Sequence, residues 1–312
     1  MKHSLNRREF IASSGLALAA ASAKAVEKEL PLIDIHQHPG FKGRPDERVL
    51  SHQRAMGAKV SFILPAGTPA NLPSTHDGKR NGLAAGCSPV EAAVELVAKH
   101  PQELRFFANE PPDHPDAKKR LEKFLKLGAI GIGEQKFKLP IDSPPMLQLY
   151  DIAKEFDVPV LMHFQHGWYN LGIDRFHKIL ERYPTVNFIG HAQTFWGNID
   201  RKHEQQAMYP KGKVTPGGIS DRLLSDYPNM YGDHSAGSGL NALTRDEEHG
   251  VGFLMRHQDK LMFGSDCYDT LGRGPSCRGA NLRKGLEKLA PTRKILRKIL
   301  FENANRLFNL NA

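Results

Sequence analysis

Eight short apolar segments alternate with helical patterns along this 312-residue chain, and this order constrains its fold more than any other feature. Short strands separated by helices are typical of βα units, which build parallel sheets. Eight units predict closure into a (β/α)8 TIM barrel, for which roughly 250 residues plus insertions suffice. A doubly wound open sheet is the alternative, but no GxGxxG motif follows any segment. The predicted strands span residues 30–38, 59–64, 105–109, 129–137, 158–163, 186–191, 230–233 and 260–266.

Metal-binding side chains stand at the carboxyl ends of four predicted strands. These residues are His36 and His38, then His163, His191 and Asp266. Because the strand ends of a parallel barrel open on one face, we expect them to converge there. Alternation along the first strand also places Asp34 on the side of its two histidines. Imidazole and carboxylate ligands with an open position suit a divalent ion such as Zn²⁺. A single strand-end histidine is more often structural, but four such ends indicate a metal site.

The first 25 residues have the pattern of an export signal. Arg7 and Arg8 begin a twin-arginine motif, a weakly apolar stretch spans 11–23, and residues 23–25 form a small-x-small cleavage site. An amphipathic first helix is the alternative, but the stretch lacks a polar face. We therefore expect a twin-arginine (Tat) signal peptide over 1–25 and a single domain over 26–312. This predicts a bacterial protein exported by the Tat machinery to the periplasm or the medium.

Charge and cysteine content argue against several other classes. The leader carries +3 of the net charge of +9, and the remaining basic residues are scattered, which does not suit nucleic-acid binding. An anionic substrate is compatible with this balance. No long apolar run follows the leader and no cysteine stands at the cleavage site, so we expect no membrane anchor. Three cysteines form no CxxC pair, and the sequence leaves open whether Cys267 and Cys277 pair.

Several motifs together resemble the amidohydrolase superfamily. They are Asp34-Ile35-His36-Gln37-His38, His163, His191, Phe263-Gly264-Ser265-Asp266 and the closing residues 302–308. The similarity covers about residues 30–310 and is strongest to the amidohydrolase-related branch, which includes metal-dependent hydrolases, lactonases and aminocarboxymuconate-semialdehyde or resorcylate decarboxylases. It implies a metal held by His36, His38, His163 and Asp266. It also implies that His191 lies beside the metal as an acid/base, or binds metal in two-metal relatives.

The fourth predicted strand leaves the number of ions open. Relatives place a lysine or a glutamate there, and this chain has both Glu134 and Lys136, which face the same way. Glu134 is a candidate ligand or bridge between two ions, and Lys136 a candidate contact for an anionic substrate. The alternative is an internal ion pair between the two side chains.

The expected chemistry is hydrolysis of a small-molecule amide, ester or lactone. A divalent ion lowers the pKa of its water to about 7, Asp266 takes the proton, and His191 donates a hydrogen bond to the oxyanion. A non-oxidative decarboxylase is the alternative, and a non-catalytic metal-containing binding protein is the third candidate. Further expected substrate contacts are His166, Trp196 and Asp233. Arg278 could bind a carboxylate, but a solvated surface position is the favoured interpretation. Residues 192–217 are predicted to form a long polar loop, and a homodimer is expected only by analogy with relatives.

Overall fold

The eight predicted strands are present, and their ladders are parallel. The computed structural model describes residues 29–75, 82–84 and 86–312, so the predicted signal peptide lies outside the described residues. Residues 31–312 form one compact unit. The strands are β1 (Leu32–Gln37), β2 (Ala58–Ile63), β3 (Leu104–Phe106), β4 (Ile132–Gln135), β5 (Val160–His163), β6 (Phe188–His191), β7 (Met230–Asp233) and β8 (Leu261–Met262).

Hydrogen bonds between β3 and β4, and between β1 and the end of β8, close the two ladders into a barrel. The ladders run β1-β2-β3 and β4-β5-β6-β7-β8. Between β3 and β4, the Ala108 N–H donates to the Gly131 carbonyl over 2.9 Å and the Gly133 N–H donates to the Ala108 carbonyl over 2.8 Å. Between β1 and the end of β8, the Ile35 N–H donates to the Phe263 carbonyl over 3.1 Å. The strands therefore form the expected (β/α)8 arrangement, with their carboxyl ends at one face.

Helices follow the strands, and two of them were not predicted from the sequence. The short helix over 192–197 lies inside the predicted polar loop, and the helix over 236–244 follows β7. None of the described helices is long and apolar enough to cross a membrane. The helices are α1 (Asp46–Met56), α2 (Val90–Lys99), α3 (Ala117–Lys126), α4 (Pro144–Glu155), α5 (His177–Arg182), α6 (Ala192–Gly197), α7 (Ile219–Asp226), α8 (Ala236–Thr244), α9 (Glu247–Arg256), α10 (Arg278–Leu289), α11 (Arg293–Arg297), a π-helix (Lys298–Glu302) and α12 (Asn303–Leu307), with 3₁₀ turns at Phe41–Gly43 and Ile173–Arg175.

The core is built from strand residues and from the end of the chain. Buried side chains of β1, β2, β5, β6 and β8 pack against Phe301 and Ala304 in one cluster. The ring of Phe308 lies edge-on to Phe62, with 4.6 Å between centroids, and 5.8 Å from the ring of Phe107. Burying a large apolar side chain contributes about 1.5–3 kcal/mol, so the closing segment helps to fix the barrel that carries the strand ends.

Asp221 on α7 is the centre of an ion-pair cluster that lies apart from the strand ends. Its carboxylate contacts His257 Nε2 at 2.7 Å and Arg256 Nη2 at 3.2 Å, and accepts from the Gly217 N–H over 3.0 Å. Burial opposes ionisation, but these partners lower the pKa of Asp221 from 3.8 to about 2. Because the folded-state pKa is the lower one, the stabilisation is present above the ordinary pKa. It is lost as the pH falls through about 2.

We expect Asp221→Asn to lower the free energy of unfolding by about 1–3 kcal/mol at neutral pH, because hydrogen bonds to a charged group are lost. The difference from wild type should shrink as the pH falls from 4 toward 2. Urea denaturation across this pH range measures it. Asp226→Asn, an exposed change on the same helix, is the matched control. A loss of free energy of unfolding that stays constant down to pH 2 would contradict the stabilisation assigned to the ionised Asp221.

Candidate metal centre

Four histidines and two carboxylates meet at the carboxyl ends of the strands. Their donor atoms form three overlapping groups, each within 4.8 Å: His36 with His191 and Asp266, His36 with His38 and Glu134, and Glu134 with His163 and His191. All are buried except Asp266, whose side chain is 16 % exposed. The barrel thus brings together all five strand-end residues predicted from the sequence, and adds Glu134 from β4.

Glu134 lies between two pairs of histidines, with one carboxylate oxygen toward each pair. Its Oε2 lies 3.7 Å from His36 Nε2 and 3.6 Å from His38 Nε2. Its Oε1 contacts His163 Nδ1 and lies 3.6 Å from His191 Nε2. Burial alone would raise the pKa of Glu134, but His163 and Lys136 hold it well below its usual range. Glu134 is therefore an ionised carboxylate at the centre of the group.

The alternative of an internal Glu134–Lys136 ion pair is not seen among the described residues. The Lys136 ammonium instead lies over the ring of Tyr169, 5.8 Å from its centroid. Lys136 also lines the cavity above the histidines. Its role as a substrate contact stays a prediction.

The first histidine pair shows that the residues present suit a cation. His36 Nδ1–H donates to Asp233 Oδ2 over 2.6 Å, and His38 Nδ1–H donates to the Leu64 carbonyl over 2.6 Å. The Nε2 atoms of the two rings face each other at 3.2 Å. Burial opposes protonation of His36, but Asp233 holds its pKa well above the usual value, so a positive charge between the two nitrogens is favoured. A metal ion can take that place, and His–carboxylate contacts of this kind orient metal ligands.

Asp34 does not join the histidine pair, although the alternation along the strand predicted that it would. The pairing of β1 with β2 is irregular between Asp34 and Gln37. The Asp34 carboxylate accepts from the Ser265 N–H over 2.8 Å and from the His36 N–H over 3.0 Å. It therefore connects the end of β1 to the segment after β8.

Asp233 and Ser235 support the histidines from below the cavity. Ser235 Oγ donates to Asp233 Oδ2 over 2.9 Å and lies 2.9 Å from His191 Nδ1. Gly264 leaves room for this arrangement, because a Cβ there would stand 2.4 Å from Asp233 Oδ1. Asp233 is fully buried and lies outside the cavity wall, so it is placed to orient His36. The sequence interpretation of Asp233 as a substrate contact is corrected accordingly.

His191 is a neutral imidazole with its lone pair toward Glu134. Burial lowers its pKa to about 4. Since the Ser235 hydroxyl hydrogen is donated to Asp233, the proton of His191 is on Nδ1, facing the Ser235 oxygen. Nε2 is then free to bind a metal or to accept a proton. The expected hydrogen bond from His191 to an oxyanion does not fit this tautomer.

Three backbone positions in the left-handed region surround the same cavity. They are Ala192 (φ 77°), Ala236 (φ 61°) and Asp266 (φ 44°), which follow β6, β7 and β8. Each such conformation costs about 1–3 kcal/mol for a residue other than glycine, and such residues cluster at functional sites. The Asp266 N–H donates to the His36 carbonyl over 2.8 Å, which holds Asp266 beside the first histidine pair.

A cavity of about 360 Å³ opens above the cluster and has a cationic wall. Lys42, Lys136 and Arg278 line it together with Asp266, His38, His163 and His191. The Lys42 ammonium lies 4.2 Å above the ring of Tyr268, and the Arg278 guanidinium lies 5.3 Å from the same centroid. Sequence reasoning missed Lys42 and favoured a surface position for Arg278 over a carboxylate contact, because both come from segments whose path the sequence does not define.

Two of the expected substrate contacts lie elsewhere. Trp196 is 2 % exposed; its Nε1–H donates to the Asp233 carbonyl over 2.9 Å and its ring stacks on His234. His166 is exposed and lines a neighbouring cavity of about 400 Å³. Trp196 is therefore a packing residue, which corrects its interpretation as a substrate contact. His166 does not reach the cavity above the histidines.

The sequence profile of the amidohydrolase family matches residues 33–310. This chain belongs to the amidohydrolase family. It is accordingly a metal-dependent enzyme, and the cluster at the strand ends supplies the residues that can hold the metal. Comparison with curated proteins finds no significant match for this amidohydrolase.

Solved structures share the fold of this amidohydrolase at low sequence identity. A probable 2-pyrone-4,6-dicarboxylic acid hydrolase from Acinetobacter baumannii is 12% identical, with a TM-score of 0.58, covering 89% of this chain and 99% of its own. The 2,6-dihydroxybenzoate decarboxylase from Rhizobium is 15% identical, with a TM-score of 0.54, covering 91% and 100%. An amidohydrolase from Burkholderia multivorans with bound zinc is 11% identical, with a TM-score of 0.54, covering 84% and 87%.

We expect Asp233→Asn to lower the metal affinity of this amidohydrolase about 10–100-fold, because the amide cannot fix the tautomer of His36 as the carboxylate does. Competition with a chelator of known affinity measures the change. Asp246→Asn, which alters a carboxylate that caps α9 and accepts from the Val214 N–H, is the control. Unchanged metal affinity in Asp233→Asn would show that Asp233 does not orient the ligand.

Proposed function

We propose that this enzyme hydrolyses a small ester, lactone or amide that carries a carboxylate. The observation that carries the proposal is the position of Asp266. Its Oδ1 lies 3.3 Å from His38 Nε2, and its side chain is 16 % exposed at the cavity, more than that of any other ligand candidate. A carboxylate at the edge of a metal cluster and open to substrate is placed to take a proton from an attacking water and return it to the leaving group.

We propose two divalent ions, bridged by Glu134. His36, His38 and Asp266 would hold one with Glu134 Oε2, and His163 and His191 would hold the other with Glu134 Oε1. Bound ions of this kind supply Lewis acidity toward the substrate and lower the pKa of water. The nitrogen and carboxylate donors suit Zn²⁺, which a structural relative with bound zinc also supports.

The cationic wall supports a carboxylate on the substrate. Lys42, Lys136 and Arg278 face one cavity, and Asp266 is the acidic residue that lines it with them in the described part of the chain. Arginine and lysine side chains bind carboxylates through charge-assisted hydrogen bonds. Bound there, the substrate would present its reactive carbonyl to the strand-end cluster.

A decarboxylase is the second candidate, and the same wall favours it. A cavity that combines cations with a metal cluster can bind an aromatic acid by its carboxylate. The structural similarity to a 2,6-dihydroxybenzoate decarboxylase supports this alternative. In that reaction Asp266 would pass a proton taken from solvent water to the ring carbon, and the electron pair of the breaking C–CO₂ bond would form the new C–H bond as CO₂ leaves.

A substrate panel with two readouts tests the proposal. Purified enzyme loaded with Zn²⁺ is offered carboxylated lactones, esters, amides and hydroxybenzoates. Proton release with loss of the lactone or ester absorbance supports hydrolysis, and CO₂ release from an acid supports the decarboxylase. The assay of each active substrate is then repeated with a derivative. In this derivative, the carboxylate that lies away from the reacting bond is converted to its methyl ester. Equal kcat/KM for both forms would contradict the role of the cationic wall.

We also propose that the enzyme is exported through the Tat pathway and acts in the periplasm or the medium, as a monomer or homodimer. The support is the twin-arginine motif at Arg7 and Arg8 and the cleavage pattern that ends at Ala25. N-terminal sequencing of the exported protein should begin at Val26. Sedimentation of the mature chain gives its oligomeric state.

A further inference from the structure

Two cysteines and one histidine form a second buried cluster, which shares no residue with the strand-end groups. Cys267 directly follows Asp266, Cys277 precedes α10, and His52 lies on α1. Their exposed fractions are 1 % for Cys267 and 0 % for Cys277 and His52. The two cysteine sulfurs and one ring nitrogen of His52 all lie within 4.8 Å of one another. Two parts of the chain far apart in sequence, α1 and the segment from Cys267 to Cys277, thus place three soft or borderline donors together.

The spacing of these donors matches ligands of one ion. The two Sγ atoms lie 3.8 Å apart, and Cys277 Sγ lies 3.4 Å from His52 Nε2. Two thiolates bound at about 2.3 Å to a tetrahedral ion stand about 3.8 Å apart, and a thiolate and an imidazole about 3.5 Å. A disulfide would need the sulfurs at about 2.05 Å. Both observed distances therefore agree with a shared cation.

Each sulfur of the cluster accepts one backbone hydrogen bond from the start of α10. Cys267 Sγ accepts from the Arg278 N–H over 3.3 Å, and Cys277 Sγ accepts from the Ala280 N–H over 3.3 Å. Both donors belong to the first turn of α10, a helix of 12 residues whose N-terminus stabilises thiolates. The opposite nitrogen of His52, Nδ1, lies 3.1 Å from the side-chain amide nitrogen of Gln53. Nε2 binds an ion when this amide is turned so that its oxygen accepts from Nδ1–H.

A fourth soft donor lies beside the three. Met56 Sδ is 3.9 Å from Cys277 Sγ and comes from the same helix as His52, one turn later. No carboxylate takes part in this group of described residues. Thiolate, thioether and imidazole donors without oxygen select thiophilic ions with filled d shells.

We propose that His52, Cys267 and Cys277 bind one thiophilic cation, Zn²⁺ or Cu⁺, independently of the ions at the strand ends. The bound ion ties α1 to the segment after β8 and to the start of α10. Since Cys267 adjoins Asp266, the ion would also hold the backbone that presents Asp266 to the cavity. The proposal does not depend on which reaction the strand-end site performs.

Cd²⁺ is a suitable probe, because its bonds to thiolates absorb in the ultraviolet whereas its bonds to nitrogen and oxygen do not. Full-length mature protein, stripped of metal and kept in a phosphine reductant under nitrogen, is titrated with Cd²⁺. We expect a thiolate-to-cadmium band that saturates at one thiolate-bound ion per chain. Zn²⁺ and Cu⁺ are then added separately, and the ion that removes the band at the lower concentration is assigned as the native one.

Matched variants show which cysteines give rise to the thiolate-to-cadmium band. Cys277→Ser and Cys267→Ser should each abolish it, whereas Cys87→Ser, which changes a cysteine that lines the substrate cavity, should leave it unchanged. Should the serine variants not fold, His52→Gln keeps both thiols and should weaken Cd²⁺ binding at least tenfold. No band in the wild type, or a band lost in Cys87→Ser, would overturn the proposal. Recovery of a peptide with Cys267 disulfide-linked to Cys277, after rapid alkylation of untreated protein, would also overturn it.

Discussion

Asp266→Asn is expected to lower kcat/KM by about 10²–10⁴-fold on the substrate identified by the panel, because the amide cannot accept the proton of the attacking water. The chain should still fold. Asparagine tolerates the left-handed conformation at this position (φ 44°), and the Asp266 N–H keeps its hydrogen bond to the His36 carbonyl. Steady-state kinetics, with thermal unfolding as a check on the fold, measure the effect.

Kinetics at saturating Zn²⁺ distinguish the proposed role of Asp266 as a metal ligand from its proposed role as the base. If the variant only lost a ligand, added metal would restore the rate. If it lost the base, the rate stays low when the metal content equals that of the wild type. Asp259→Asn is the matched control, since Asp259 precedes β8, is exposed, and pairs with Lys298 at 2.7 Å. A variant at Asp266 with nearly the original rate would show that another group takes the proton.

The convergence of the candidate ligands could be predicted because it depends on strand order alone. His36, His38, His163, His191 and Asp266 each end a short apolar segment, and a parallel barrel brings such ends to one face. The distinction between ligand and support could not be predicted in the same way. Asp233 also ends a strand, and only the 2.6 Å contact with His36 Nδ1 shows that it lies behind a ligand.

Local composition did not predict helix α6, for a physical reason. Residues 192–197 include a glycine, a threonine and two aromatic residues, which have modest helix propensity. The helix is imposed by packing: the Phe195 ring occupies the space over Gly190, where a Cβ would stand 2.2 Å from it, and Trp196 stacks on His234 at 4.1 Å. The second contact joins segments far apart in sequence, so no short window of the sequence contains it.

Glu134→Gln is expected to produce the largest loss of metal. The carboxylate faces four histidines, and an amide can neither carry the charge nor offer two equivalent oxygens to two ions. We expect the strand-end metal content to fall from two ions per chain to one or none. Activity should fall about 10³-fold or more, comparable to removing metal from the wild type with a chelator, because both the Lewis acid and the acidified water are lost.

Glu110→Gln is the matched control, because Glu110 is equally buried but pairs with Arg120 at 3.0 Å away from the histidines. It should lower stability and leave the metal content unchanged. Metal analysis of both variants, carried out in a Cys277→Ser background, counts only the strand-end ions. Two ions retained in Glu134→Gln would contradict the bridge. One ion retained with wild-type activity would instead show that a single ion, held by His36, His38 and Asp266, suffices for turnover, and that Glu134 serves to orient His163.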